Sequence, residues 1–409
     1  MLPADSSAGN QPNMTTTLPA AAPRFSPELR AGAFYLTIYM APGVAAAYAG
    51  IWFTNQGLST GQIGVINALP VFIMLLLNLL VGRIADRARD WRQVIVIGAL
   101  ASAAIPVGLF LVNDFWGILA VWTLAALPIS AVGPVLDAAA MRMTRRNGTD
   151  YGALRATGTV GYMLVIFLTG YIIAWLGGGI FLWLFVGVSV LRGLAGLQLP
   201  NFRAGPVEGD AVPAVAGAKH LIEVMKPWFL LPLIGWSMVF GTHLLLNAFQ
   251  ALVFKEQGIS EDVIGLLITL GALSEAMVFF AFSRFAKRFT ARSLILVSAL
   301  VSVFRWTAMA FSPSVEVLFA LQMLHGVTFA LGFIGCVSFI ANWTSEDIAA
   351  EAQSFFQVLQ QAMSVIVILG FGALLEPLGA KGFFASAAFA AIGAVLIWLS
   401  LRLQQPKNG

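Results

Sequence analysis

The sequence predicts an all-α membrane protein in which twelve transmembrane helices form two six-helix halves. Three observations lead to this fold class. Of the 409 residues, 59% are hydrophobic and 10% are charged, whereas soluble domains are roughly a quarter charged. Apolar runs of about 20 residues, long enough to cross the hydrocarbon core of a bilayer as a helix, recur from residue 31 onward. A loop sequence also repeats halfway along the chain.

Twelve apolar runs occur in succession, with short polar connections between them. The predicted spans are 31–54, 63–84, 92–112, 115–142, 151–175, 178–200, 227–254, 263–285, 291–311, 315–342, 350–375 and 382–403. Residues 1–29 are rich in Ala, Pro, Ser and Thr and lack an apolar core of signal-peptide length, so we expect a disordered cytoplasmic tail there. The predicted halves are 30–200 and 227–403, with a central cytoplasmic loop at 201–226 and a short tail at 404–409.

An internal repeat relates the two halves. The loop "FTNQGLSTGQIG" at 53–64 matches "FKEQGISEDVIG" at 254–265, an offset of 201 residues that also carries "GRIADR" at 82–87 onto "SRFAKR" at 283–288. Because each half has an even number of spans, both halves begin on the same side of the membrane. The repeats are therefore parallel, related by an axis along the membrane normal.

The basic residues orient the predicted bundle. Of the 23 Lys and Arg residues, only Lys255 and Lys381 fall in loops on the face of the first hairpin tip, and Arg155, Arg192 and Arg305 lie within spans. The remaining 18 lie on the opposite face, which the positive-inside rule makes cytoplasmic. Both termini are then inside, and the net charge of +4 is explained by topology without a nucleic-acid partner.

The turn after the second span carries a recognisable motif. Gly82, Asp86 and Arg87 in "GRIADR" reproduce the pattern of Gly, three residues, Asp and Arg. Transporters of the major facilitator superfamily have this pattern between their second and third helices, and the chain resembles them over its whole length after the tail. The resemblance implies a monomeric inner-membrane transporter in which Asp86 and Arg87 join cytoplasmic helix ends during gating. The second half has Lys287 where the Asp is expected.

Ionisable residues inside spans are costly, so each is a candidate for function. The set is Asp137, Arg155, His243, Glu275, Arg305 and His325. Asp137 and Arg155 each stand nine residues from Arg146, which lies at the centre of the turn between the fourth and fifth spans. The two side chains are therefore expected at nearly equal depth. They either form an ion pair that only joins the two helices, or form a site that binds a carboxylate or hydroxyl groups.

The hairpin at 133–162, "GPVLDAAAMRMTRRNGTDYGALRATGTVGY", resembles that of the lactose permease and 3-phenylpropionate permease group. The resemblance implies that Asp137 and Arg155 bind the solute. Tyr162 stands where the lactose permease has the tryptophan that stacks on the sugar.

In the second half, Arg305 and His325 resemble members of that group's proton-coupling cluster, but its glutamate is replaced by Thr328. Glu275 is the candidate to take over as proton carrier, because a carboxyl buried among Met277, Phe279 and Phe280 would hold a proton readily. The alternative is a static pair with Arg305.

Polar residues at helical spacing predict a hydrophilic path through the bundle. They are Tyr35 and Tyr39 on the first span, His243, Asn247 and Gln250 on the seventh, and Gln357, Gln360 or Gln361, and Ser364 on the eleventh.

Together these features favour a secondary active transporter, specifically a proton-coupled symporter that imports a small organic solute by alternating access. An aromatic carboxylate such as a phenylpropionate is favoured, and a sugar, oligosaccharide or nucleoside is the alternative. A different class, an exporter or a non-transporting receptor on the same fold, stays open. An enzyme is not expected, because the sequence has no metal-ligand cluster, nucleotide loop or nucleophile–base arrangement. The expected partners are the solute, protons and the lipid bilayer, with no cofactor and no bound metal.

Overall fold

A computed structural model describes residues 25–87, 90–149, 151–202, 225–286, 288–344 and 346–403. Most of the predicted tails 1–29 and 404–409, and of the predicted loop 201–226, lies outside these ranges. Within the helices, only the backbone is described at some positions, including the stretch 78–87. For Gly82, Asp86 and Arg87 the structure therefore describes the backbone alone, and their predicted gating role stays a prediction.

The described chain forms helices throughout, in the predicted order. In the first half, α1 comprises Pro27–Ile38 and Met40–Asn55, α2 is Thr60–Arg87, α3 is Trp91–Ala104 extended by a 3₁₀ turn Ile105–Phe110, α4 is Phe115–Asn147, α5 is Tyr151–Leu176 and α6 is Phe181–Leu197. In the second half, α7 is Pro227–Glu256, α8 is Glu261–Ala286, α9 is Ala291–Met309, α10 comprises Val315–Met323, a π-helical turn Gly326–Leu331 and Gly332–Trp343, α11 is Glu346–Leu378 and α12 is Phe383–Arg402.

All twelve helices are long and apolar enough to cross a membrane, which confirms the predicted fold class. The predicted bounds differ from the observed ones by a few residues. At α2, α4 and α11 the polar ends continue the helix past the apolar run. Hydropathy marks only the part of a helix that the hydrocarbon core covers, so it underestimates such helices.

The sequence repeat is also a repeat of backbone structure. Gly57 has a φ of 79° and Gly258 a φ of 80°, a left-handed conformation that glycine adopts without strain. After each glycine the chain returns to its helix in the same way: the N–H of Leu58 donates to Phe53 O at 3.2 Å, and the N–H of Ile259 donates to Phe254 O at 3.1 Å. The constant offset between the two loops therefore reflects the same turn conformation in both halves.

A second equivalent feature ties the third helix of each half to the sixth. Arg92, near the start of α3, donates to Leu199 O at 2.7 Å and to Leu197 O at 2.9 Å. Arg292, near the start of α9, donates to Ser400 O at 2.6 Å. The last carbonyls of a helix have no partner within it, so an arginine from a neighbouring helix both satisfies them and fixes the two helix ends together.

The two halves meet closely at the end of the bundle that carries the turns at Gly57 and Gly258. A Cβ added at Gly64 of α2 would lie 3.1 Å from Ile368 O of α11. A Cβ added at Gly170 of α5 would lie 2.6 Å from Glu261 O of α8, and 3.0 Å from the Cα of Gly265. Backbone therefore packs on backbone between α2 and α11 and between α5 and α8, which closes this end.

Candidate functional site

A cavity of about 210 Å³ lies between the two halves. It takes side chains from α1 and α5 on one side and from α7, α8 and α10 on the other. Its lining comprises Tyr39, Arg155, Thr159, Tyr162, Asn247, Gln250, Ile268, Gly271, Ala272, Glu275, Gln322, His325 and Phe329. One cation, Arg155, comes from the first half, and one carboxylate, Glu275, comes from the second.

In the first half, Arg155 contacts Asp137 and Tyr39, and Tyr35 in turn contacts Asp137. Its Nε lies 3.6 Å from Asp137 Oδ1, which places the predicted pair together. Its Nη2 donates to the hydroxyl of Tyr39 at 2.7 Å, and its guanidinium carbon stands 4.6 Å from the centre of the Tyr39 ring. Tyr35 donates to the same Asp137 oxygen at 2.6 Å. Asp137 and Tyr35 are absent from the described lining, so they orient Arg155 without forming part of that wall.

Two local features bring α1 to this position. The helix is interrupted at Tyr39, because Pro42 has no N–H to donate and its ring clashes with the carbonyl four residues earlier. On the facing helix, a Cβ added at Gly161 would lie 1.8 Å from Leu36 O, and one at Gly158 would lie 2.8 Å from the Tyr39 ring. Only glycine fits at these positions of α5, so these glycines set the distance between Tyr39 and Arg155.

In the second half, Arg305 is fully buried, and three neutral acceptors surround it. Its Nη2 donates to Gln322 Oε1 at 2.6 Å, and its Nη1 donates to His325 Nδ1 at 3.0 Å and to Thr328 Oγ1 at 3.1 Å. Among the described carboxylates, none forms an ion pair with Arg305. A buried guanidinium without an adjacent anion is costly, so its charge must be balanced from further away.

Glu275 provides the carboxylate, and His325 connects it to Arg305. Arginine only donates, so His325 Nδ1 must accept, and in the neutral imidazole the proton is then on Nε2. His325 Nε2 lies 3.6 Å from Glu275 Oε2. The static pair of Glu275 with Arg305 that was the alternative is therefore replaced by an indirect contact, in which a donor of His325 faces the carboxylate.

The setting of Glu275 also differs from the sequence expectation. The side chain lines the cavity, whereas Met277 is 54% exposed and Phe279 37% exposed; the side chain of Phe280 is outside the described residues. Neither Met277 nor Phe279 belongs to the described lining. Glu275 thus faces polar groups of the interior and is not enclosed by those apolar neighbours.

The π-helical turn in α10 brings His325 close to α8. It begins at Gly326, where an added Cβ would lie 2.3 Å from Ser274 O. The Gly326 N–H donates to Ser274 Oγ at 2.9 Å, which fixes the close approach of the two helices. Such turns frequently occur at functional sites.

A second histidine lies behind the cavity. His243 is fully buried, with Nδ1 2.9 Å from Val239 O and Nε2 2.9 Å from Thr328 Oγ1. The carbonyl requires a proton on Nδ1, so Nε2 accepts from the Thr328 hydroxyl. His243 is not in the described lining, and it acts in this structure as a support for Thr328 and, through it, for Arg305.

The other predicted residues divide between the wall and the surroundings. Tyr162 and Asn247 line the cavity, as predicted for solute contacts. Gln357 is exposed, and neither it nor Gln361 belongs to the described lining. Gln322, Thr159 and Phe329 line the wall although the sequence did not single them out. The position of Gln322, three residues before His325 on the same helix, is the signal that could have identified it.

The helical bundle and the cavity between its halves define the chain as a multi-pass membrane transporter. Residues 29–377 match the MFS_1 like family of the major facilitator superfamily, and the chain belongs to this family. Family membership places it among transporters and not among enzymes.

The chain is 24% identical over 375 residues to the "probable 3-phenylpropionic acid transporter" of Escherichia coli (strain K12), covering 89% of this chain and 95% of that one. It is likewise 24% identical over 381 residues to the maltose permease of Geobacillus stearothermophilus, covering 92% and 95%. The crystal structure of the nucleoside transporter NupG superposes with a TM-score of 0.79 at 14% identity, covering 93% of this chain and all of that one, which supports the fold alone.

Proposed function

We propose that the protein is a proton-coupled symporter of the inner membrane, with both termini cytoplasmic, that imports a small aromatic carboxylate by alternating access. The observation that carries the proposal is the placement of Arg155 and Glu275 on opposite halves of one cavity. A solute bound to Arg155 and a proton bound to Glu275 would then both change the contacts between the two halves, whose interface must open and close during alternating access.

Arg155 suits a carboxylate. Asp137 and Tyr39 engage Nε and Nη2, and among the described residues no partner takes up Nη1. A guanidinium fixed on one side presents its remaining N–H groups in a defined direction, which favours forked binding of a planar anion. The rings of Tyr39, Tyr162 and Phe329 in the same wall supply apolar faces for an aromatic body.

The size of the cavity favours a small solute. Its volume of about 210 Å³ is below the roughly 300–1,000 Å³ of pockets that hold drug-sized ligands. A molecule with a single ring is therefore a better match than an oligosaccharide.

Glu275 suits a proton carrier because its charge state controls the contacts of its neighbours. When ionised, the carboxylate attracts the N–H of His325 Nε2, 3.6 Å away, and balances the buried charge of Arg305 through that ring. When protonated, it no longer attracts that N–H. Protonation and rearrangement of the second half are thus coupled through one side chain.

A sugar or nucleoside is the second candidate. It is supported by the amide side chains of Asn247, Gln250 and Gln322 in the wall, which suit hydroxyl groups. The relatives named as a maltose permease and a nucleoside transporter are consistent with this alternative.

The test is solute-driven proton movement in proteoliposomes that contain the purified protein and an internal pH-sensitive dye. Phenylpropionate, benzoate, glucose, maltose and uridine would be offered in turn. The proposal expects acidification of the lumen with an aromatic acid, beyond that of protein-free liposomes, and no response to the sugars. A response to maltose or uridine alone would instead establish the second candidate.

A further inference from the structure

Gln250 of α7 is a buried polar side chain that the proposed mechanism does not use. Its side chain lines the cavity, yet the residue is only 3% exposed. Gln322 of α10 lies beside it and is buried to the same extent.

The orientation of both amides is determined by Arg305. Because arginine has only donors, the group of Gln322 that faces it at 2.6 Å is Oε1. The Nε2 of Gln322 is then directed to Gln250, whose Oε1 accepts at 3.4 Å. The remaining group of Gln250 is its NH₂, which no hydrogen bond of the described residues engages and which is open to the cavity that Gln250 lines. A buried guanidinium thus turns an amide donor toward the cavity, through one intervening glutamine.

A donor left unpaired in a buried wall is costly, so a bound solute that lacks an acceptor at this point is penalised. The acceptor is expected to be neutral, because Arg155, the cation of the described lining, is taken up by the carboxylate and a neutral amide does not balance a second anion. A hydroxyl or carbonyl oxygen meets this requirement.

We propose that Gln250 is a specificity-determining residue that selects aromatic carboxylates carrying a neutral oxygen, such as a ring hydroxyl, at the end away from the carboxylate. This inference rests on the proposed function, since Arg155 must hold the carboxylate for the ring to reach Gln250. Gln322 is a positioning residue, which acts by holding the Gln250 amide in its orientation.

The experiment compares uptake of 3-phenylpropionate with that of its three ring-hydroxylated isomers in proteoliposomes. Wild-type protein is expected to take up at least one isomer with a half-saturation concentration at least about fivefold lower than that of the unsubstituted acid. In Gln250→Leu this preference is expected to disappear. Gln93→Leu, which changes an exposed glutamine of α3, is the matched control and should keep the preference.

Two further variants protect the test against misfolding and against a general polarity effect. Gln250→Asn keeps an amide but shortens it, and should reduce the preference while leaving the thermal transition of the purified protein near that of wild type. Gln322→Leu should also reduce the preference, since it frees the Gln250 amide to rotate. Because it also removes an acceptor of Arg305, it is compared with wild type at a temperature below its own thermal transition.

The outcomes separate the two proposals. Uptake of 3-phenylpropionate without any preference in the wild type, or a preference that survives Gln250→Leu, overturns the role of Gln250 and leaves the proposed function intact. Failure of wild-type protein to take up any of the four acids overturns the proposed function, and the inference that rests on it falls with it.

Discussion

His325 Nε2 lies 3.6 Å from Glu275 Oε2, although the two residues come from different helices, α10 and α8. The other ring nitrogen of His325 accepts from the buried Arg305 at 3.0 Å. A single imidazole therefore joins a carboxylate at the cavity wall to a cation that has no described anionic neighbour. The coupling between protonation and transport is expected to depend on this connection.

Glu275→Gln should separate transport from the proton gradient. The amide is nearly the same size but cannot exchange a proton, so gradient-driven accumulation should be lost while exchange of labelled for unlabelled solute continues. Measuring both activities in the same proteoliposomes checks the prediction. Glu316→Gln, at an exposed position near the start of α10, is the matched control. Normal accumulation by Glu275→Gln would exclude Glu275 as the carrier.

His325→Leu should destabilise the protein, and His325→Gln should do so much less. Leucine removes an acceptor from the buried Arg305, an effect of about 1–3 kcal/mol or more for a charged partner. Glutamine has a carbonyl oxygen for Arg305 and an N–H for Glu275. Thermal unfolding in detergent would measure the difference. Equal stability of the two variants would contradict the importance of this hydrogen bond.

Arg155→Lys should weaken solute binding about 10- to 100-fold, because an ammonium cannot reproduce contacts that a charge-assisted, forked group makes at about 1.5–3 kcal/mol each. Asp137→Asn should have a smaller effect in the same direction, since Asp137 contacts Arg155 but is not part of the described cavity lining. Half-saturation concentrations of uptake test both. The reverse order of effects would show that Asp137 contacts the solute directly.

Gly161→Ala should destabilise the first half of the bundle. The added methyl would lie 1.8 Å from Leu36 O, so α1 and α5 would have to separate and carry Tyr39 away from Arg155. Overpacking of this kind costs about 1–3 kcal/mol. Gly187→Ala is the control, because an added Cβ there meets no atom within 4 Å. It should be neutral or slightly stabilising, as alanine favours helix more than glycine.

The orientation of the chain can be tested with engineered cysteines. Cys336 is fully buried, so a membrane-impermeant thiol reagent should not label wild-type protein in intact cells. Asn55→Cys, at the end of the bundle with the Gly57 turn, should be labelled from outside. Asn201→Cys, at the opposite end, should be labelled only after the membrane is permeabilised. Both asparagines are exposed. The reverse pattern would invert the predicted topology.

Sequence reasoning predicted the helices and the pairing of Asp137 with Arg155 because both depend on simple counting. An apolar run sets the position of a span, and equal distances from one turn set equal depths. It could not determine which polar residues face the cavity. Gln357 and Gln360 are three residues apart, yet one is exposed and the other 5% exposed, because the rotation of α11 about its axis depends on its neighbours.

The direction of the α10 side chains after His325, such as Phe329, was harder to predict for a specific reason. The π-helical turn Gly326–Leu331 adds a residue to the turn and changes the angular register of α10, so ideal helical spacing misplaces the residues beyond it. The position of Gln322, one turn before His325, can be read from the sequence, but its contact with Arg305 on another helix cannot.

The glycine contact between Gly170 and Gly265 has a consequence for the speed of the transport cycle. Where two helices touch through bare backbone, no side chains interdigitate, so parting them at that point requires no rotamer changes. In the proposed alternating-access cycle this contact would add little resistance to opening and resealing. A bulkier pair would make a tighter closure and a slower carrier.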